Sequence, residues 1–153
     1  MKRITFAAFL FPIALVALAG QPPASPATQA ESWVKESLKL AKGKGIDTLV
    51  AEVMNPKGKF TALRPATDPE LTVYSGSFEV LAVNRMSRHI KMDHAKLPDA
   101  GGAPILKRMA SFAQASGPGW MEYLGTDPTG RPKPFKAYVA LQGTNLIAAV
   151  IPE

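Results

Sequence analysis

Lys136 and Tyr138 stand two residues apart in a run at 134–141 that reads as a strand, so the two side chains share one face. An ammonium beside a phenol hydroxyl suits a carboxylate ligand. Trp120 and Tyr123 stand three apart at 119–123, and strand parity sends them to opposite faces unless a bulge intervenes near Gly119. Tyr74 closes a short run at 71–74. Asn84, Arg85 and Arg88 follow the next run, where an arginine fork can hold a small carboxylate, with Arg85 the better placed of the two. Aromatic rings, hydroxyls and one or two cations are binding chemistry more than bond-breaking chemistry.

Other chemistries find less support. His89, Asp93 and His94 lie near Met86 and Met92, and thioether with imidazole suits copper. The histidines are five apart, which fits neither a helical turn nor alternate strand positions, and plain surface or packing roles are more ordinary for such residues. Ser75, Ser77, Ser87, Ser111 and Ser116 offer hydroxyls, but none sits in a Gly-x-Ser-x-Gly elbow. There is no cysteine nucleophile and no phosphate-cradling glycine loop. The 12 acidic residues show no arrangement that marks an acid–base pair. The expectation is a chain that is no enzyme and carries no cofactor and no resident metal.

The surroundings of these residues are bounded by length and composition. A chain of 153 residues allows one domain. Lys2 and Arg3 precede an uncharged apolar run at 4–18, and Ala17-Leu18-Ala19 offers small residues for cleavage, so residues 1–19 read as a secretory signal peptide. The alternatives are cleavage after Ala30 or retention as an anchor, although the run is shorter than the roughly 20 residues of a span and contains Pro12. Residues 20–30, rich in Pro, Ala, Ser and Gln, read as a disordered linker, leaving 31–153 as the domain. Loss of Lys2 and Arg3 lowers the net charge from +6 to +4, and the remaining cations are scattered, so nucleic acid is not an expected partner. With no cysteine, a periplasmic or secreted domain must be held by core packing alone.

Residues 31–42 have helical spacing, with Trp33, Val34, Ser37, Leu38 and Ala41 on one face, and Gly43 and Gly45 end the run. Asp47 reads as the cap of a short helix through Met54. From Leu71 the period changes to two: strands at 71–74 and 78–83 flank the turn Ser75-Gly76-Ser77. A charged, irregular stretch at 84–102 is long enough to be functional, and 103–115 is a second amphipathic helix. Strands from Gly119, from Pro134 and from Leu146 follow, joined by turns at 127–130 and 143–145. The order predicts an α+β fold with an antiparallel sheet of about five strands, an N-terminal helix and a covering loop-helix segment.

The ordered set of these segments resembles the single-Cache extracellular sensor domains, whose sheet is PAS-like. The resemblance rests on the opening helix with Lys42-Gly43-Lys44-Gly45, the stretch 51–60, the strand pair 73–82, Gly119-Trp120-x-x-Tyr123 and Tyr138-Val139, and it covers nearly all of residues 31–152. It implies a non-catalytic domain that binds a small molecule, a small carboxylate favoured, between the sheet and the 84–102 region. Tyr74, Asn84, Arg85, Trp120, Tyr123, Lys136 and Tyr138 are the ligand residues it suggests. A chain ending at Glu153 is expected to present its ligand to a membrane receptor, kinase or transport partner, to form a homodimer, or to act as a simple binding protein. Periplasmic copper handling through the His/Met stretch, or a secreted enzyme of unknown class, are the alternatives.

Overall fold

The structure, a computed structural model, describes residues 24–63, 67–85, 104–126, 129 and 131–151. Helix α1 spans Pro26–Lys44. It begins five residues before the expected 31, inside the segment read as disordered linker. The local chemistry explains the difference. Ser25 caps the helix, its Oγ accepting from the Thr28 N–H at 3.2 Å, and Pro26 follows where a missing N–H costs nothing. Ala30 is then fully buried, which ties the first turn to the core. Lys42 and Lys44 complement the carbonyl end of the dipole, and Gly45, at φ 89°, ends the helix with its N–H on the Ala41 oxygen. Helix α2 (Ile46–Met54) follows at once, and its cap is Gly45 rather than Asp47, which lies in the first turn.

Strands β1 (Glu70–Tyr74), β2 (Val80–Val83), β3 (Gly119–Thr126), β4 (Pro132–Gln142) and β5 (Asn145–Ile151) form one sheet in the order β2-β1-β5-β4-β3, all neighbours antiparallel. Helix α3 (Ile105–Ser116) lies on the opposite face from α1 and α2. This is the α+β arrangement, with a five-stranded antiparallel sheet, that the pattern predicts. Alternation sends Leu71, Val73, Tyr138, Ala140, Ile147 and Ala149 to the α1–α2 layer. Ala137, Val139, Leu146 and Ala148 go to the α3 layer. With both faces covered, the middle of β4 and of β5 is buried at four consecutive positions instead of alternating with solvent. Trp33 meets Phe60 edge to face at 6.3 Å and seals the α1 layer.

Two turns set the register. Gly143, at φ 59°, and Thr144 join β4 to β5 so that Gln142 faces Asn145. The β1–β2 turn is less ordinary. The Phe78 N–H reaches the Ser75 oxygen at 2.9 Å and the Ser75 N–H reaches the Glu79 oxygen at 2.8 Å. Phe78 itself sits at φ 67°, a left-handed conformation that costs an L residue about 1–2 kcal/mol. For that reason β2 starts at Val80, two residues later than expected.

A chain beginning at Ala24 should be more stable than one beginning at Glu31. The shorter chain lacks the Ser25 cap, worth about 1 kcal/mol, and the buried Ala30. Urea midpoints of the two proteins check this, and equal midpoints would show that residues 24–30 contribute nothing to the fold.

Candidate functional site

Strand parity divides the expected ligand residues between the two layers. Trp120 and Tyr138 are Cα partners across β3 and β4 and pack with the α1 layer. Their rings meet edge to face at 5.3 Å, and Tyr138 is only 6% exposed. Lys136 shares that face, as its spacing predicts, but its cross-strand partner is Glu122 and the two form an ion pair at 3.0 Å. Its charge therefore already has a carboxylate beside it. Tyr74 and Tyr123 belong to the α3 layer. The β3–β4 register runs unbroken from Gly119 to Thr126, so no bulge brings Trp120 and Tyr123 together. The expected single wall is two walls on opposite sides of one sheet.

On the α1 side, Trp120 separates two open clefts of about 450 and 510 Å³. Glu31 is held below its usual carboxylate range mainly by its hydrogen bond to Lys35 at 2.5 Å, and the Trp120 side chain adds a smaller contribution. The same contact raises Lys35. Both groups are solvated, so the pair is a surface feature.

Asn84 and Arg85 are brought to the end of β2, where the chain leaves the sheet. The Asn84 side chain is used by the fold. Its Oδ1 accepts from the Leu71 N–H at 3.0 Å and its Nδ2 donates to the Phe60 oxygen at 2.8 Å. Arg85 donates from Nη2 to the Asp68 carbonyl, and its Nε is buried with no partner among the described residues. Arg88, His89, Asp93, His94, Met86 and Met92 lie outside the described residues, as do Asp127, Pro128 and Gly130 of the expected turn. Among the described residues no group of three or more His, Cys, Asp or Glu side chains could hold a metal.

The α3 side of the sheet gathers a polar set on an apolar floor. Along β1, Tyr74, Thr72 and Glu70 point the same way at period two. Burial raises the Tyr74 phenol well above its ordinary range; its hydrogen bond with the Thr72 side chain lowers it, and nearby Glu70 and Tyr123 raise it, each less than burial does. Tyr123 is pushed up to about 12, by burial first and by Glu70 second. Its ring stacks on Phe135 at 5.6 Å. Met121, Val150 and Phe78 join the same layer. Two half-buried phenols thus share the α3-side layer, each raised by burial first and by nearby Glu70 less. No nucleophile with an adjacent base occurs in this set. Sequence reasoning singled out both tyrosines but missed Glu70, Thr72, Phe78 and Phe135. Counting back by two from Tyr74 would have found Thr72 and Glu70.

No protein-family model matches the chain, and no curated protein matches it. Solved structures do share its fold. One is a periplasmic sensor domain of a chemotaxis protein, at 16% identity over 80% of this chain and 87% of that one, with a TM-score of 0.53. Another is a Cache chemosensory domain studied for carboxylic acid recognition, at 11% identity over 82% and 86%, TM-score 0.55. A third is a methyl-accepting chemotaxis protein from Vibrio parahaemolyticus, at 12% identity over 82% and 87%, TM-score 0.57. The chain therefore has the PAS-like fold of Cache sensor domains, and among the described residues no helix is long and apolar enough to cross a membrane.

The Tyr123 phenol gives a pH signature. Its folded pKa, about 12, lies above the unfolded value of about 10. Between those values the unfolded chain binds fewer protons than the folded one, so stability is full below pH ~10 and falls as pH rises toward 12. The urea midpoint should drop between pH 9.5 and 11.5, and Tyr123→Phe should make that drop shallower. An equal drop in the variant would place Tyr123 in water.

Proposed function

We propose that this chain is a non-catalytic, sensor-type domain that binds a small molecule on the α3 side of its sheet. The ligand class favoured is a small carboxylate or a related metabolite. The observation that carries the reading is the pair of half-buried phenols, Tyr74 on β1 and Tyr123 on β3, which share the α3-side layer and are both raised by burial. Phenol and threonine hydroxyls can donate to carboxylate oxygens, and the Arg85 guanidinium leaves the sheet beside β1 with a buried Nε to offer. Glu70 adds a restriction: an acid that also presents a hydroxyl or amine hydrogen meets it better than a plain one. Carboxylic acid recognition by a protein of the same fold supports this choice of class.

The residues before α1 support export. Lys2 and Arg3, the apolar run 4–18 and Ala17-Leu18-Ala19 favour cleavage after Ala19. A helix starting at Pro26 with Ala30 buried favours that cut over one after Ala30. In the periplasm or outside the cell, such a domain would hand its state to a membrane receptor, kinase or transport partner.

Thermal shift of the chain from Gly20 onward against small mono-, di-, hydroxy- and amino-carboxylates tests the reading. An acid that binds raises Tm by mass action. Tyr74→Phe and Tyr123→Phe should each weaken that acid about tenfold, roughly 1.4 kcal/mol, while Lys136→Ala leaves it unchanged. Loss of binding in Lys136→Ala with no effect of the tyrosines would move the site to the α1 side. Turnover of the acid would make the chain an enzyme, and silence across the whole panel would remove the carboxylate class.

A further inference from the structure

We propose that Phe78 is a wall of this small-molecule site and sets the size of ligand it admits. The inference rests on the α3-side reading above. Phe78 is the one non-glycine residue at positive φ among those described, at 67°. It occupies the last position of the three-residue connection Gly76-Ser77-Phe78, where hairpins of this kind call for glycine or asparagine. A bulky residue there is a genuine outlier, and such outliers collect at ligand sites.

The turn has no need of the ring to close. The Ser75 oxygen accepts from the Phe78 N–H at 2.9 Å, and the Ser75 N–H donates to the Glu79 oxygen at 2.8 Å. Ser75 Oγ accepts from the Glu79 N–H at 3.0 Å and lies 2.9 Å from Ser77 Oγ. These bonds use backbone and serine oxygens alone, so asparagine or glycine at position 78 keeps all of them. The glycine in this connection stands instead at position 76, where a Cβ would come within 2.9 Å of the Thr144 side chain. Clearance from the neighbouring turn thus accounts for Gly76, and a separate reason is needed for Phe78.

The ring supplies that reason by its location. It is half-buried and packs against the α3-side layer, the same layer that carries Tyr74 and Tyr123, and takes no part in the α1 core. It stands just beyond Tyr74, at the turn end of β1, while Glu70 marks the other end of that strand. A rigid ring there closes the turn end of the site. An aromatic wall held by a strained backbone has few ways to yield, so it discriminates by ligand length.

The test compares Phe78→Asn and Phe78→Gly with the unsubstituted chain from Gly20 onward. Affinities for acetate, propionate, butyrate, hexanoate and their 2-hydroxy derivatives are measured by calorimetry, with Tyr123→Phe run alongside. Both position-78 variants should keep the ligand-free Tm within about 4 °C. Both should shift the ratio of long-acid to short-acid affinity about tenfold toward the longer acid. An unchanged ratio, with binding still lost in Tyr123→Phe, would leave the site standing and overturn the role of Phe78. A collapse of the ligand-free Tm in both variants would show that the ring serves the fold, and would overturn it as well. No response of the unsubstituted chain to any acid would fail the site reading itself, and this inference with it.

Discussion

The register of the five-stranded sheet decides everything else about the molecule. A strand sends successive side chains to opposite faces, so a slip of one residue would exchange the two layers completely. Here the pairing is pinned from several sides at once. Gly143 makes the β4–β5 turn in its shortest form, the β1–β2 turn is closed by serine and backbone hydrogen bonds, and β3 pairs with β4 without interruption. Alanines at 137, 140, 148 and 149 give both helical layers close access to the sheet centre. Large side chains at those positions would push one layer away and expose its apolar face.

Much of this was legible in the residues. Period two at 71–74 and in the C-terminal third, and helical spacing around Trp33 and around Met109, suffice for the α+β class and the strand count. That Lys136 and Tyr138 share a face, and that Trp120 and Tyr123 do not, also follows from counting. What counting cannot supply is which face belongs to which helix, because parity is relative within a strand and becomes absolute only through packing. The Lys136–Glu122 ion pair is one example, for the two residues stand 14 apart in the chain and no local pattern links them. The part Asn84 plays in the fold is hidden for the same reason. Its partners at Phe60, Pro69 and Leu71 come from separate parts of the chain. The helix start at Pro26 is masked in the sequence by a proline- and alanine-rich composition typical of linkers, although Ser-Pro is also a first-turn signal.

The two faces differ in electrostatic character. On the α1 side, Glu31 with Lys35, Glu36 with Lys59 and Glu122 with Lys136 are exposed pairs. Such pairs contribute little to stability and are screened by salt. On the α3 side Tyr74 and Tyr123 are half-buried phenols, uncharged at neutral pH, whose contacts salt does not screen. The proposed ligand site lies in the second environment, while the first suits solubility.

Strand β4 is common property of both layers. Ala137 and Val139 look toward α3, Tyr138 and Ala140 toward α1, and these four residues are consecutive. The backbone between the layers is a single peptide thick. Tyr138 and the Trp120 ring against it therefore stand one peptide away from Ala137 and Val139 of the other layer. The sheet is thus a partition one backbone thick, a shared wall between two separate cores.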